Sequence, residues 1–165
     1  LSIVKALALI PADQRPYLVV VGNGREYRKE VENYISSHQL QNYVCIKTDI
    51  HNSKLLQALY AKATLFVYPS FYEGWGLPIS ESLVHGKFCL TGDNGALVEA
   101  GAGYAEHLSP FDVMGWARRL KELMQHPEEV EAKNARIRAE CKGLSWAASS
   151  AAFFGLVDQL QEVRS

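Results

Sequence analysis

The chain has 165 residues, of which 48% are hydrophobic and 21% are charged, as expected of one globular domain with a sizeable core. A formal net charge of −1 gives no reason to expect a nucleic-acid partner. Three cysteines lie far apart and form no CxxC pair, which favours a reducing, cytoplasmic compartment over a disulfide framework. No stretch approaches the roughly 18 apolar residues of a transmembrane segment.

Apolar periodicity predicts alternating helices and strands in the first part of the chain. The continuous β-branched run at 17–21 predicts a strand that is buried on both faces of a parallel sheet. Ser53 is the predicted N-cap of a helix over 54–63. The other predicted elements here are helices over 3–10 and 26–37 and a short strand over 43–46.

The stretch 65–86 combines a strand end, a glycine-bearing loop and a helix start. Strand 65–68 ends before Pro69, which cannot donate to a sheet ladder. Pro78 suits the first position of a helix because its φ is already helical, and Gly86 is expected to close that helix in the left-handed conformation. The sequence therefore predicts a strand, a loop and a helix N-terminus in direct succession.

The second half of the chain continues the same alternation. Strands are predicted over 88–91 and, near the sheet edge, over 104–108, with helices over 96–100, 112–126 and 127–141 and a last helix after that. Asp112 is expected to cap its helix. The positions expected to face inward on the helices are Trp116, Leu120, Leu123, Phe153, Val157 and Leu160. Strands that alternate with helices predict an α/β fold with a doubly wound parallel sheet.

The central loop carries groups that suit a phosphate and a sugar. A helix N-terminus offers unpaired N–H groups to an anion, and Gly74 and Gly76 would let the backbone approach that anion closely. Glu73 and Glu81 flank the loop, and a carboxylate accepts the two hydroxyl hydrogen bonds that a sugar diol offers. These groups suggest a nucleotide-sugar site. The alternative is a capped helix after a tight turn, with Glu73 solvated and Glu81 merely favouring the helix dipole.

A second glycine-bearing turn, Gly22-Asn23-Gly24, follows the first predicted strand. A dinucleotide-binding fingerprint is not expected there, because Tyr27 stands where the third glycine belongs and no acidic residue follows at the usual point. We interpret the segment as a tight turn that lines a nucleotide cleft.

Another candidate ligand contact lies at the end of the second predicted strand. Ligands of open α/β sheets bind at the carboxyl edge of the strands. The residues at this edge are Lys47, Thr48 and Asp49.

No metal site is expected. The five histidines form no cluster with cysteines or carboxylates at metal-ligand spacing. Glu81 and His85 form an i,i+4 pair on one predicted helix, but a single pair of this kind is usually an ordinary helix contact.

The central loop also resembles a family signature. Seven residues separate Glu73 from Glu81, and Gly-Trp-Gly-Leu-Pro follows Glu73 directly. This pattern resembles the E-x7-E motif of the retaining GT-B glycosyltransferases known as family 4, or glycosyl transferases group 1. The resemblance covers nearly the whole chain. It implies a single nucleotide-sugar-binding domain over 1–165, the Rossmann-like C-terminal half of a GT-B fold.

The resemblance implies roles for the residues of the motif. Glu73 would be the catalytic carboxylate that binds hydroxyls of the transferred sugar, and Glu81 would bind the ribose hydroxyls. The donor diphosphate would lie on the loop amides, and the base would lie near the ends of the first two strands, without a metal. Trp75 suits either stacking on a ligand or simple packing. The implied donor-binding residues besides Glu81 are Gly74, Trp75, Gly76, Leu77, Gly22, Gly24, Lys47, Thr48 and Asp49.

Substrates and partners follow from the same resemblance. The donor would be a UDP-, GDP- or ADP-sugar with no further cofactor, and the acceptor would be a sugar, a lipid-linked group or a glycan in polysaccharide or glycoconjugate biosynthesis. Because the chain opens at Leu1 inside an apolar helical pattern, we expect a fragment that lacks the N-terminal acceptor domain and the first strand region with its basic Arg and Lys pair. Alone it should turn over no substrate. The whole protein would be cytoplasmic, with the N-terminal domain as the part that brings it to the inner face of the membrane.

Two alternatives stay open at this point. A GT-B-fold nucleotide-sugar epimerase would share the cleft, although the pattern of Glu73 and Glu81 favours a transferase. A non-catalytic nucleotide-sugar-binding or partner module would keep the fold without the reaction. Substitution of both glutamates would then leave the function of the whole protein intact.

Overall fold

The structure, a computed structural model, describes residues 1–22, 24, 27–50, 52–141 and 146–162. Helices and strands alternate along these residues. The helices are α1 (Ser2–Leu9), α2 (Arg28–Ser37), α3 (Ser53–Lys62), α4 (Leu77–Val84), α5 (Gly95–Gly101), α6 (Val113–Gln125), α7 (Pro127–Glu140) and α8 (Trp146–Glu162), and a 3₁₀ turn spans Ala12–Gln14. The strands are β1 (Leu18–Val21), β2 (Val44–Lys47), β3 (Phe66–Tyr68), β4 (Cys89–Gly92) and β5 (Glu106–Leu108).

All of these strands pair in parallel, and they form two groups. β1 pairs with β2, from Leu18 opposite Val44 to Val21 opposite Lys47. β4 lies between β3 and β5. The predicted α/β fold with parallel strands and β5 at an edge is confirmed. However, the described strands form a two-stranded and a three-stranded sheet rather than one continuous sheet.

The side chains of the two sheets are buried to different degrees. All the residues of β4 are buried. In β1, Val19 and Val21 are 39% and 43% exposed, while Leu18 and Val20 pack against the core. Alternate residues of a strand share a face, so one face of β1 is open to solvent. The expectation that this strand is buried on both faces is therefore wrong.

The core joins the helices to the three-stranded sheet. Helices α1 and α6 pack against each other and bury Leu7, Trp116 and Leu123. The same cluster continues to Ile79 of α4 and Leu90 of β4, both fully buried. The inward-facing positions predicted for α6 are confirmed by this packing.

Helix α7 is attached to the sheet by a buried polar side chain. The Asn134 side chain accepts a hydrogen bond from the Phe88 amide at 2.6 Å and donates one to the Thr64 carbonyl at 3.1 Å. These two backbone groups stand just before β4 and β3. Val130 and Ile137 are buried on the same helix, so this strongly charged segment has one face in the core.

The helix ends agree with the predictions at some positions and differ at others. The Asp112 side chain caps α6, and Gly86 has a φ of 66° just beyond the end of α4, as predicted. Asn52 rather than Ser53 caps α3, because the Asn52 side chain accepts a hydrogen bond from an amide of the first turn. Pro78 is the second residue of α4 rather than the first.

The last helix also differs from the expectation. Phe153 and Leu160 of α8 are 62% and 66% exposed, and Val157 is half-buried. The prediction that this helix buries its apolar side chains is therefore wrong for Phe153 and Leu160. None of the described helices is both long enough and apolar enough to cross a membrane.

Candidate functional site

The loop 69–76 leads from β3 into α4 and is held close to the end of β4. The Thr91 hydroxyl donates a hydrogen bond to the Tyr68 carbonyl at 3.2 Å, which ties the start of the loop to β4. At Gly92, a Cβ would lie 2.5 Å from the Ser70 carbonyl oxygen, so a glycine is needed for the loop to pass this close. Sequence reasoning missed Gly92, although a glycine inside a strand often marks a close backbone approach.

Gly76 is the N-cap of α4, and its backbone requires a glycine. Its φ is 101°, a conformation that L side chains rarely adopt, and an added Cβ would lie 2.8 Å from a methyl group of Leu97. Conformation and packing against α5 are thus reasons for this glycine in addition to the predicted close approach to an anion. At Gly74, in contrast, a Cβ would meet nothing within 4 Å, so this part of the loop is open.

The amides that enter α4 differ in whether they have a hydrogen-bond acceptor, and Gly76 among them is buried. The Ile79 and Ser80 amides are already hydrogen-bonded to the Gly76 carbonyl, at 2.9 and 3.5 Å. Pro78 has no N–H group. The N–H groups of residues 74–77 have no hydrogen-bond acceptor among the described residues. Consecutive unpaired amides at a helix N-terminus favour a bound anion.

Glu73 stands directly before these amides and is half-buried. One carboxylate oxygen, Oε1, accepts hydrogen bonds from the Tyr68 hydroxyl at 2.7 Å and from the Ser70 hydroxyl at 2.9 Å. Since both donors meet the same oxygen, the loop fixes the direction in which Oε2 points.

Glu81 lies on α4, and its side chain is exposed. Its Oε2 atom accepts a hydrogen bond from the Tyr60 hydroxyl of α3 at 2.9 Å. Tyr60 itself is 8% exposed. A buried tyrosine therefore holds one oxygen of a solvent-facing carboxylate.

Aromatic rings connect the two carboxylate sites. The Phe66 ring lies 5.4 Å from the Tyr60 ring and 6.0 Å from the Tyr68 ring, measured between centroids. Tyr60 also stacks on His85, with centroids 5.3 Å apart and an interplanar angle of 5°. Burial, and after it the hydrogen bond to the carboxylate, raises the pKa of Tyr60 and of Tyr68, so both remain hydroxyl donors at neutral pH.

Sequence reasoning identified both glutamates but not the two tyrosines. Tyr60 lies within the predicted helix over 54–63 and Tyr68 at the end of the predicted strand over 65–68, and the sequence pattern gives neither residue a further role. The available signal is chemical, because a buried tyrosine hydroxyl usually finds a hydrogen-bond partner. The i,i+4 pair of Glu81 and His85 is linked through Tyr60 rather than directly.

A second candidate region lies where β1 and β2 end. Gly22, Gly24 and Thr48 line an open cleft of about 100 Å³, together with Tyr27 and Arg28, which sequence reasoning did not select. Arg28 also forms an exposed ion pair with Glu32 of the same helix at 2.7 Å. Asn23 of the predicted turn and Glu26, the predicted first residue of α2, lie outside the described residues.

Most of the remaining predicted site residues are less favourably placed to contact a ligand. Lys47 and Asp49 are exposed and do not line this cleft, whereas Thr48 does. Trp75 is partly buried and packs against the core, which favours the packing interpretation over ligand stacking. Within the described ranges there is no group of three or more His, Cys, Asp or Glu side chains that could hold a metal ion.

The chain matches a known family and several curated proteins. Residues 2–140 match the family model described as glycosyl transferases group 1. The O-antigen chain mannosyltransferase B of Escherichia coli is 36% identical over 91 residues, which are 55% of this chain and 24% of that protein. The glycogen synthase of Treponema denticola is 26% identical over 151 residues, which are 83% of this chain and 29% of that protein. The chain thus spans less than a third of the length of these relatives.

Solved structures share the fold. Sucrose-phosphate synthase from Thermosynechococcus elongatus superposes with a TM-score of 0.78 at 22% identity, over 98% of this chain and 42% of that one. Anabaena Alr3699/HepE in complex with UDP-glucose superposes with a TM-score of 0.72 at 20% identity, over 84% of this chain and 38% of that one. At these identities the likeness concerns the fold alone.

Proposed function

The chain belongs to the glycosyl transferases group 1 family, and from this membership we propose that it is the donor-binding domain of a retaining glycosyltransferase. The enzyme would transfer a sugar from a nucleoside diphosphate sugar to a sugar, lipid-linked or glycan acceptor. The O-antigen mannosyltransferases among its relatives support a role in polysaccharide or glycoconjugate biosynthesis. HepE, a structural neighbour, binds UDP and UDP-glucose, which supports a nucleotide-sugar donor here.

The observation that carries this proposal is the row of unpaired amides at the start of α4, with a carboxylate on each side. The N–H groups of residues 74–77 suit the donor diphosphate. Glu73 would accept hydrogen bonds from hydroxyls of the transferred sugar, and Glu81 from the ribose hydroxyls. The cleft that contains Gly22, Gly24 and Thr48 would be the region of the base.

Catalysis in this arrangement would be mainly electrostatic. As the bond between the sugar and the diphosphate breaks, its electron pair and negative charge move to the diphosphate. The fixed N–H groups of residues 74–77 and the positive end of the α4 dipole face that charge and would stabilise it more in the transition state than in the ground state. Because the acceptor side would be supplied by another domain, the chain alone would not transfer sugar.

The arrangement of the strands supports a larger protein. In the described residues β1 pairs only with β2, and β3 pairs with β4 but with nothing on its other edge. In a doubly wound sheet of strand order 3-2-1-4-5-6, strand 1 lies between the pair 3-2 and the triplet 4-5-6. The described strands form one such pair, β2-β1, and one such triplet, β3-β4-β5. We propose that a segment of the natural polypeptide outside this chain supplies that strand, followed by the loop with the basic pair.

Calorimetry with UDP, GDP and ADP on the natural polypeptide tests the donor site. We expect clear preference for one nucleotide and at least a tenfold loss of affinity in Glu81→Ala, because hydrogen bonds to charged groups contribute about 1.5–3 kcal/mol. Glu131→Ala, which removes a remote carboxylate of α7, is the matched control. Binding of no nucleotide, or unchanged binding by Glu81→Ala, would contradict the proposed site.

A further inference from the structure

We propose that Tyr60 and Tyr68 are positioning residues, each of which holds one oxygen of a glutamate and leaves the other oxygen for a substrate hydroxyl. The proposal rests on the proposed function, since it assigns the tyrosines to the two carboxylates of the donor site. It predicts a separate effect for each tyrosine. Tyr60 would act on the nucleotide part of the donor through Glu81, and Tyr68 on the sugar part through Glu73.

The Glu73 carboxylate is occupied on one side only. Oε1 accepts from the hydroxyls of Tyr68 and Ser70, which uses the two lone pairs of that oxygen. No described residue donates to Oε2. The carboxylate therefore presents a single free oxygen, next to the unpaired amides that begin at Gly74. A substrate hydroxyl at this oxygen would lie beside an anion bound to the loop.

Glu81 shows the same division of its two oxygens. Oε2 accepts from the Tyr60 hydroxyl, and none of the described donors contacts Oε1. An exposed glutamate without this bond would sample several rotamers, and ordering it on binding would cost about two- to tenfold in affinity. The hydroxyl of Tyr60 restricts the side chain before the ligand arrives.

The tyrosines can hold the carboxylates because their own rings are fixed. Tyr60 is buried and contacts the rings of Phe66 and His85, and Tyr68 stacks on Phe66. The two hydroxyls thus belong to one aromatic cluster of Tyr60, Phe66, Tyr68 and His85. Burial raises the pKa of both tyrosines, so each hydroxyl keeps its proton and donates a hydrogen bond to the carboxylate throughout the neutral range.

If the two hydroxyls only stabilised the fold, removing either would change ligand affinity no more than removing the hydroxyl of any other hydrogen-bonded tyrosine. Tyr43 offers that comparison, because its hydroxyl donates to the Ala12 carbonyl at 3.1 Å, outside the candidate site. The variants Tyr60→Phe, Tyr68→Phe and Tyr43→Phe each remove one hydroxyl and keep the ring.

The test measures two affinities for each variant of the natural polypeptide by calorimetry. The two probes are the preferred nucleoside diphosphate and the corresponding nucleotide sugar. The pair is UDP and UDP-glucose, GDP and GDP-mannose, or ADP and ADP-glucose. For Tyr60→Phe we expect about a two- to tenfold loss of affinity for both members of the pair, because Glu81 must then be ordered when the ligand binds. For Tyr68→Phe we expect unchanged nucleotide affinity and a several-fold loss for the nucleotide sugar. Tyr43→Phe should bind both as the wild type does.

The outcomes separate this proposal from the proposed function. If Glu81→Ala loses nucleotide affinity but Tyr60→Phe binds like Tyr43→Phe, the donor site stands and the positioning role of Tyr60 is refuted. If Tyr68→Phe weakens nucleotide and nucleotide sugar equally, its assignment to the sugar part is refuted. If Glu81→Ala has no effect, the proposed function itself fails. Equal melting temperatures of the three tyrosine variants show that a loss of binding does not come from unfolding.

Discussion

β1 and β4 are both short parallel strands, yet the more apolar of the two is the less buried. β1 has the sequence LVVV with two valines partly exposed, whereas β4 has the sequence CLTG and is buried at every position. β4 pairs on both edges, but β1 pairs on one edge among the described residues. The burial of these strands therefore follows their place in the sheet rather than their composition.

β5, at an edge of the three-stranded sheet, is flanked by charged side chains. β5 carries Glu106, which binds Arg119 of α6 at 2.6 Å and lies 3.7 Å from Lys133 of α7. Arg119 also pairs with Glu129. Charged side chains of this kind protect an edge strand from further pairing. β1 has no charged residue and leaves one edge unpaired among the described residues, which supports the proposal that another strand pairs with it.

The largest expected effect contrasts the two strands directly. Leu90→Ala in β4 should lower the free energy of unfolding by about 2–5 kcal/mol, because it opens a cavity in the core. Val21→Ala in β1 should cost less than about 1 kcal/mol in this chain, because the side chain is already 43% exposed. Urea unfolding measures both. Equal losses would show that β1 is as well packed as β4.

A second prediction concerns the backbone of β1. The amides of Leu18 and Gly22 donate to carbonyls at the two ends of β2, so by alternation those of Val19 and Val21 point to the open edge. In this chain we expect Val19 and Val21 to exchange their amide hydrogens with little protection and Val20 to be protected. In the natural polypeptide all three should be protected, which hydrogen exchange followed by NMR can measure. Fast exchange of Val19 and Val21 there would mean that no strand is inserted.

The smallest expected effect concerns the charged edge of β5. The hydrogen bond from Arg119 holds the pKa of Glu129 below its ordinary value of 4.5. A carboxyl whose pKa is lower in the folded state stabilises the fold above the unfolded-state pKa, and this contribution is lost as the pH falls through the folded-state pKa. Glu129→Gln should therefore reduce the acid sensitivity of stability slightly, by less than about 1 kcal/mol because the pair is solvent-screened.

Urea unfolding at neutral pH and below pH 4.5 provides the measurement, with Glu131→Gln on the same helix as the comparison. Identical acid sensitivity of the wild type and Glu129→Gln would show that this pair contributes nothing to the edge.

The features that sequence predicted well are those set by local chemistry. The left-handed Gly86, the cap at Asp112 and the inward face of α6 depend on residues a few positions apart, and all three are confirmed. The family signature likewise identified the loop with Glu73 and Glu81, because both glutamates belong to one short segment.

The features that sequence did not predict depend on contacts between distant segments. The Tyr60 hydroxyl meets a carboxylate 21 positions further along the chain, and helical periodicity marks Tyr60 only as apolar. The exposure of Val19 depends on which elements cover that face of β1, which a run of valines does not encode. Asn52 and Ser53 are both good capping residues, so local preference could not decide between them.

The hydrogen bonds of Asn134 have a consequence for the order in which the chain can fold during synthesis. They join a side chain of α7 to backbone groups 46 and 70 positions earlier. Until that helix has left the ribosome, the starts of β3 and β4 lack their partner, and the apolar surface around Phe88 remains uncovered. The three-stranded sheet is thus expected to become stable late in translation, as is typical of long-range contacts, and premature termination before residue 134 would release an aggregation-prone chain.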